Sequence, residues 1–373
     1  MTTLARSDKS LFAEWWRTVD HGIIIGAMVL LACGMLLSLA AGPTAAGRIG
    51  FEDPFYFVFR HAFFVVGAII VMLGTSMLSE DWARRLALVV FLISFLLMAA
   101  ILVIGHEANG SQRWIRIAGF SLQPSEFVKP GLIVVAAWLL AQRQLNRTVP
   151  WEVITFLLFA PTVGLLLLQP DVGQTVLLTA AFLVAFFVSG LPLLWAAGFG
   201  VGGILTAVGL YFAFDHVRHR IELFLNPSEG GFQLDQAHEA ISRGGLLGVG
   251  PGEGRIKEEL PDPHTDFIYS VAGEEFGYIA CLGLLIIFAV IALRGVMNAS
   301  RRADPYLRAA GTALFFLFGF QATINIGVNV GLLPTKGMTL PFISYGGSSM
   351  LGSALTLGLG LALTRRRAEY FPD

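Results

Sequence analysis

A single aspartate, Asp266, stands at the point where a long polar segment of the sequence returns to an apolar one. It belongs to the stretch LPDPHTDFIY at residues 260–269, and the motif GEEFG, which contains Glu275, follows at 273–277. A carboxylate at such a place is partly desolvated and within reach of a lipid headgroup, where it could act as an acid or a base. Aspartate is also a good N-cap residue, so Asp266 could simply begin the next helix.

Basic and aromatic side chains come together in a second polar segment, residues 106–123. Arg113, Trp114 and Arg116 combine two guanidinium groups with an indole. Arginine forks suit phosphate oxygens, whereas a tryptophan at a membrane interface is often only an anchor. The segment therefore either binds phosphate or anchors the chain at headgroup level.

Charged residues also occur inside apolar stretches. Glu126 and Lys129 stand three residues apart, which puts them on one helical face and close enough to pair. Asp171 follows Gln169-Pro170 at a predicted helix end and could meet Lys129 instead. A charge within a membrane costs roughly 2.5 to 3.5 kcal/mol even on the lenient insertion scale. These residues therefore form either a buried ion pair that fixes helix packing or part of a substrate cavity.

Two further patterns are typical of structure more than of chemistry. Gln321, Asn325 and Asn329 are four residues apart, which predicts hydrogen bonds between helices along one helical face. The glycine-rich run at 244–254 is not preceded by a strand and lacks the lysine of a phosphate-binding loop. It is predicted to be a flexible connector.

The composition places all of these residues in a membrane protein. The chain has 373 residues, 55% hydrophobic and 14% charged, and its mean hydropathy is +0.71, which lies outside the range of soluble domains. A span needs roughly 20 apolar residues. The sequence predicts an all-α polytopic protein with about ten transmembrane helices: Gly22 to Ala41, Phe55 to Leu78, Leu86 to Gly105, Pro124 to Ala141, Trp151 to Gln169, Gly173 to Gly190, Leu191 to Phe214, Tyr269 to Leu293, Leu307 to Leu333 and Ser344 to Leu363.

The distribution of basic residues predicts the orientation. Arginines concentrate at both chain ends and in alternate connections, as at Arg84, Arg85, Arg301 and Arg302, whereas the short connections on the other side hold few. By the positive-inside rule both termini are cytoplasmic. We expect one integral-membrane domain over residues 1–373, with a large periplasmic loop at 215–268 between helices 7 and 8 that is long enough to be functional.

Several classes of function are disfavoured. The two cysteines, Cys33 and Cys281, both fall within predicted spans and suggest neither a disulfide framework nor a metal site. A formal charge of −1 gives no footprint for nucleic acid. Inverted repeats, which would favour an alternating-access transporter, are not visible.

Taken in order, the motifs resemble those of the SEDS family (shape, elongation, division and sporulation), and its cell-division branch more than its elongation branch. The resemblance covers nearly the whole chain. It is carried by NGSQRWIR at 109–116, QPSE at 123–126, QPDVG at 169–173, HTDFIYSVAGEEFG at 264–277, and LPTKG at 333–337 leading to PFISYGGSS at 341–349.

The resemblance implies a peptidoglycan glycosyltransferase of the bacterial inner membrane. Such an enzyme polymerises lipid II, a lipid-pyrophosphate-linked disaccharide peptide, into glycan strands at the division septum, and the motif aspartate, here Asp266, is essential. Implied partners are a class B penicillin-binding transpeptidase and other membrane proteins of the division machinery.

One carboxylate suffices for this reaction because a pyrophosphate leaving group needs cations and not a proton. Asp266 would be the general base on the 4-hydroxyl of the acceptor sugar. Candidates to hold the pyrophosphate or the sugars are Arg113, Trp114, Arg116, Lys129 and Lys336. A divalent cation, Mg²⁺ or Mn²⁺, could assist, although no ligand cluster with diagnostic spacing is present.

His264, two residues before Asp266, is predicted to orient Asp266 or the substrate and not to be the base. Glu126, Asp171 and Glu275 are predicted to supply the polar structure of the cavity. A nucleophilic serine in SYGGSS lacks the GxSxG context and a paired histidine.

Two other functions would use the same residues. A lipid II flippase needs a polar path through the middle of the membrane, whereas the suspicious charges here gather near the outer surface. A non-catalytic scaffold would leave Asp266 only as a helix cap. The resemblance and the position of the charges favour the glycosyltransferase.

Overall fold

The computed structural model describes residues 10–104, 106–108, 111–117, 120–190, 232–334 and 337–366, with isolated positions between 191 and 231. The helices are α1 (Leu11–Thr18), α2 (His21–Ile49), α3 (Tyr56–Ser76), α4 (Glu80–Ile104), α5 (Ser125–Gln142), α6 (Trp151–Leu168), α7 (Val172–Val188), α8 (Phe232–Gly244), α9 (Ile268–Ser300), α10 (Pro305–Asn329) and α11 (Gly347–Thr364). Three short strands, β1 (His106–Ala108), β2 (Ser111–Ile117) and β3 (Phe120–Leu122), lie between α4 and α5.

The helices confirm the predicted fold class. Within the described ranges, 8 helices are long and apolar enough to cross a membrane, and α7 is a shorter apolar helix. The seventh predicted span, Leu191 to Phe214, falls almost wholly outside the described residues, so the count of ten stays a prediction. Other helices run past their predicted ends: α2 continues to Ile49 because Gly50, at a φ of 83°, supplies its left-handed C-cap.

Three helices make the centre of the molecule. In the 18-residue apolar stretch of α5, α10 and α11, 78%, 78% and 89% of the residues are buried. In the corresponding stretches of the other candidate spans the buried share is 22–39%. The outer helices expose large apolar side chains such as Phe59, Phe63 and Ile70 of α3. Since an uncompensated polar group cannot face lipid, the polar residues of α5, α10 and α11 are turned inward together.

Residues 106–123, predicted only as a loop, contain a three-stranded antiparallel sheet in the order β1-β2-β3. Trp114 pairs with His106, and Arg116 pairs with Ser121. Successive side chains of a strand point to opposite faces, so Arg113 and Arg116 lie on opposite faces of β2. The two guanidinium groups therefore do not form one phosphate clamp.

The glycine-rich run is not a flexible connector, and that prediction was wrong. Its backbone is bonded to the GEEFG motif: Val249 N–H donates to Glu274 O at 2.9 Å, and Tyr278 N–H donates to Gly245 O at 2.9 Å. This docking requires a kink in α9 at Gly277, whose φ is 76°. A Cβ there would lie 2.5 Å from the Gly248 nitrogen and would overlap a neighbouring carbonyl oxygen. Residue 277 must therefore be glycine for two reasons: its backbone conformation is left-handed, and there is no room for a Cβ.

Candidate active site

A cavity of about 390 Å³ opens where the central helices meet the end of the long loop that leads into α9. Asp266 and Phe267 line it from the start of α9, and Asn325 from α10. The segment 337–339 and the first turn of α11 supply another wall, and Arg113, Trp114, Gln123 and Glu126 complete it. The cavity thus joins residues from most of the motifs that the sequence singled out.

Asp266 is held in the cavity wall through its backbone. Its carbonyl oxygen accepts hydrogen bonds from Asn325 Nδ2 at 3.0 Å and from Asn329 Nδ2 at 2.9 Å. Asn329 Oδ1 in turn accepts from the backbone N–H and the hydroxyl of Ser270, at 3.1 and 2.8 Å. The predicted polar stripe of α10 therefore does bond between helices, and it fixes the residue that carries the candidate base. Its link to Asp266 was not foreseen.

The capping interpretation of Asp266 is not what the structure shows. Helix α9 begins at Ile268, and its N-cap residue is Phe267, which makes no side-chain capping bond. Asp266 lies one residue earlier and half-buried, with its side chain among the residues that line the cavity.

A buried polar network lies beneath the cavity. Lys129 donates to Glu126 Oε2 at 2.8 Å, to Gln174 Oε1 at 2.5 Å and to Gln321 Oε1 at 3.4 Å. Gln174 Nε2 donates to the other oxygen of Glu126 at 2.7 Å. The predicted Glu126–Lys129 pair is present, with both residues buried. Lys129 is enclosed and does not line the cavity, whereas Glu126 does.

Arg113 is the one cation among the described residues that line the cavity. Its Nε donates to Gln169 O at 3.0 Å, a second nitrogen donates to Pro170 O, and a third lies 3.6 Å from Asp171 Oδ1. Asp171 caps α7 by accepting from Gln174 N–H at 3.3 Å. Burial raises the pKa of Asp171, and the Arg113 guanidinium opposes that shift. Asp171 therefore partners Arg113 and not Lys129.

The remaining predicted cations fall in different places. Arg116 is exposed and is not among the residues that line the cavity. Lys336 lies outside the described residues, next to Gly337, which lines the cavity. Their predicted roles at the pyrophosphate stay predictions.

The His264 side chain lies on the other side of the loop from Asp266. It borders a smaller cavity of about 220 Å³ with Arg48 and packs on the rings of Phe57 and Tyr345, at centroid distances of 4.6 and 5.5 Å. Burial lowers the pKa of His264 to about 4, so the imidazole is neutral at physiological pH. Any orienting effect on Asp266 would pass through the loop backbone.

Two glutamates of GEEFG hold the loop to α9. Glu275 is fully buried and bonded to Lys257 Nζ at 2.5 Å. Glu274, which the sequence did not single out, accepts three backbone N–H groups from residues 255–257 at 2.7, 2.8 and 3.0 Å. Glu275 is thus a structural residue of the loop and does not line the cavity. A carboxylate that faces three consecutive N–H groups leaves no signal in a single sequence.

Within the described part of the chain, no group of three or more histidine, cysteine, aspartate or glutamate side chains is placed to hold a metal ion. The described residues therefore do not form a protein-only metal site. The expectation of a divalent cation stays a prediction.

Comparison with known proteins decides the family. The family model described as "Cell cycle protein", covering FtsW, RodA and SpoVE, matches residues 20–369. The chain belongs to this family. It is 50% identical over 365 residues to the "Probable peptidoglycan glycosyltransferase FtsW" of Caulobacter vibrioides, covering 97% of this chain and 93% of that protein. It is 33% identical to the "Stage V sporulation protein E" of Bacillus subtilis, covering 93% and 97% of the two chains.

Solved structures agree with this family membership. A chain of the structure called "Structural coordination of polymerization and crosslinking by a peptidoglycan synthase complex" superposes with a TM-score of 0.77, at 29% identity over 93% of this chain and 97% of that one. RodA of Thermus thermophilus superposes with a TM-score of 0.68, at 27% identity over 95% and 99% of the two chains. The resemblance found in the motifs is confirmed, and the chain is a multi-pass membrane protein of this family.

Proposed function

We propose that this protein is a peptidoglycan glycosyltransferase that polymerises lipid II, with Asp266 as its general base. The observation that carries the proposal is the Asp266 side chain in the wall of a cavity formed by the motifs of the family. The relatives' names, peptidoglycan glycosyltransferase in particular, support the reaction class.

The chemistry explains why one carboxylate is enough. Glycosidases need an acid to protonate a poor leaving group as well as a base or nucleophile. A lipid pyrophosphate is already a stable anion when it leaves. The 4-hydroxyl oxygen of the acceptor attacks the donor's anomeric carbon, the bond from that carbon to the pyrophosphate oxygen breaks, and the hydroxyl proton passes to Asp266. Direct displacement inverts the anomeric configuration.

The anchoring of Asp266 suits this role. A base must be held at the reacting proton, and misplacement by about 1 Å can cost on the order of a hundredfold in rate. Two asparagines of α10 donate hydrogen bonds to the Asp266 carbonyl oxygen, and α10 is one of the most buried helices. The carboxylate therefore stands on a rigid support and is not carried by a mobile loop tip.

Cationic help for the departing pyrophosphate would come from Arg113, which lines the cavity. Arg116 and Lys336 stay sequence-based candidates for the same role. Lys129 would contribute indirectly, because its ammonium group holds the side chains of Glu126, Gln174 and Gln321 in place. Arg113 lies on the wall formed by β2, whereas Asp266 lies on the wall at the start of α9. This asymmetry fits a reaction with a neutral nucleophile on one side and an anionic leaving group on the other.

We infer further that the cavity faces the outer leaflet, that both termini are cytoplasmic and that the protein acts at the division septum. The arginine distribution supports the orientation. A class B penicillin-binding transpeptidase is the proposed partner, and the similarity to a chain of a peptidoglycan synthase complex supports it.

The test is polymer formation from fluorescent lipid II by purified protein, with and without the transpeptidase. Asp266→Asn keeps the shape of the side chain and removes the base, and the matched control is Asp262→Asn, because Asp262 is an exposed carboxylate that lines the same cavity. Asparagine also tolerates the φ of 50° at residue 262. We expect loss of polymer in the first variant and retention in the second.

Other outcomes favour other functions. Polymer from Asp266→Asn at the wild-type rate would remove the base assignment and favour a scaffold. No polymer from any variant, together with lipid II translocation in liposomes, would favour a flippase.

A further inference from the structure

Two hydroxyl groups meet in the cavity wall near Asp266. Thr339 Oγ1 and Ser349 Oγ are hydrogen-bonded to each other, and both residues line the cavity. Thr339 follows Gly337 by two residues, which places their Cα atoms at most about 7 Å apart. A Cβ at Gly337 would lie 3.6 Å from Asp266 Oδ2. The hydroxyl pair and the candidate base therefore border the same cavity, and Gly337 lies between them along its wall.

The pair is held rigidly from below. The carbonyl oxygen of Thr339 accepts from Gln321 Nε2 at 3.2 Å, and Gln321 is bonded to the buried Lys129. Ser349 lies in the first turn of α11 and is only 7% exposed. Because Ser349 is buried and the backbone of Thr339 is bonded to Gln321, a ligand would meet hydroxyl groups that are already in position.

The hydrogen-bonding capacity of this wall is not used up. Two hydroxyl groups carry two O–H donors, and their mutual bond uses one of them, so one donor and several lone pairs remain. Gln123 also lines the cavity; its Nε2 donates to Asp171 Oδ2 at 3.3 Å, while among the described residues nothing donates to its Oε1. The wall therefore offers both a donor and acceptors to a ligand.

The character of these groups selects the ligand. The amide oxygen of Gln123 and the carboxylate of Asp266 can only accept hydrogen bonds, so they disfavour a phosphate oxygen, whereas a sugar hydroxyl group can donate to them and accept from the remaining O–H. The indole of Trp114 and the ring of Tyr345 border the same space and offer apolar surface to the C–H groups of a sugar ring. This combination suits a neutral carbohydrate and does not suit a pyrophosphate.

We propose that Thr339, Ser349 and Gln123 form a subsite for the acceptor sugar of lipid II, which they hold so that its 4-hydroxyl faces Asp266. The inference rests on the proposed glycosyltransferase function and deepens it. These are positioning residues: they take no part in the proton transfer, and they set where the attacking sugar lies.

The test compares initial polymerisation rates over a range of lipid II concentrations. Thr339→Val and Ser349→Ala remove a hydroxyl, whereas Thr339→Ser and Ser349→Thr keep it. The matched controls are Thr356→Val and Ser353→Ala, which remove hydroxyls from α11, the helix that carries Ser349, at buried positions that do not line the cavity.

Each hydroxyl deletion in the subsite is expected to raise KM about five- to tenfold, the loss of one neutral hydrogen bond, with kcat within about twofold. The hydroxyl-retaining variants and the controls should keep the wild-type KM. Two results would overturn the subsite alone. One is an equal rise of KM in Thr339→Val and Thr339→Ser. The other is an unchanged KM in Thr339→Val and Ser349→Ala while Asp266→Asn is inactive. Polymer formation by Asp266→Asn would instead overturn the proposed function.

Discussion

The hydrogen bonds between Glu274 and the loop that leads to Asp266 should stabilise that loop by an amount that can be measured. The buried carboxylate accepts Arg255 and Ile256 N–H through Oε1 and Lys257 N–H through Oε2. Glu274→Gln can keep the first two bonds, but its NH₂ group must then face the Lys257 N–H. One charge-assisted bond is lost and a buried donor is left unpaired, a cost of about 1.5 to 3 kcal/mol.

That free energy should appear as local opening of the loop. Since about 1.4 kcal/mol corresponds to tenfold, amide hydrogen exchange at Lys257 should accelerate about ten- to hundredfold in Glu274→Gln, measured by mass spectrometry in nanodiscs. The control is Glu258→Gln, which removes an exposed carboxylate from the same segment. Unchanged exchange at Lys257 in Glu274→Gln, or equal acceleration in the control, would refute the reasoning.

Three further predictions concern stability, measured as the midpoint of thermal unfolding. Lys129→Met leaves Glu126 buried without its cation and should cost about 3 to 5 kcal/mol, and adding Glu126→Gln should recover much of it; no recovery would contradict the pairing. Gly277→Ala forces a Cβ into a left-handed, crowded position and should lower the midpoint sharply, whereas Gly283→Ala in the same helix meets nothing within 4 Å and should not. The pKa of His264 is lowered from 6.5 to about 4, so between pH 4 and 6.5 the imidazole binds a proton in the unfolded chain but not in the folded one. The contribution of His264 to stability is therefore full above pH 6.5 and falls by about 1.4 kcal/mol per pH unit below it. His264→Phe should lose this dependence of stability on pH.

The sequence predicted the parts of the fold that follow from hydropathy. Long apolar runs mark spans whatever their partners are, so the described helices that are long and apolar enough to cross a membrane lie where they were expected. Helix ends were less accurate because a span's apolar length does not fix its cap, as α2 shows by continuing to Ile49. The sheet was missed since its outer strands, β1 and β3, have 3 residues each, too few for a visible alternation.

At the site, Asp266 was predicted from its position, but its support was not. Asn325 and Asn329 come about sixty residues later, and only the packing of α9 on α10 brings them to its carbonyl oxygen. Spacing alone likewise left Lys129 as a candidate ligand for the substrate, whereas three side-chain bonds enclose it. The contacts that decide such roles are long-range and depend on the fold.

The rate of single-turnover polymerisation tests the central claim most directly. With the enzyme in saturating excess over lipid II, Asp266→Asn should lower the rate constant about a hundred- to ten-thousandfold, the usual worth of a general base, while lipid II binding stays near the wild-type level. Polymer formed by Asp266→Asn at the wild-type rate would contradict the account.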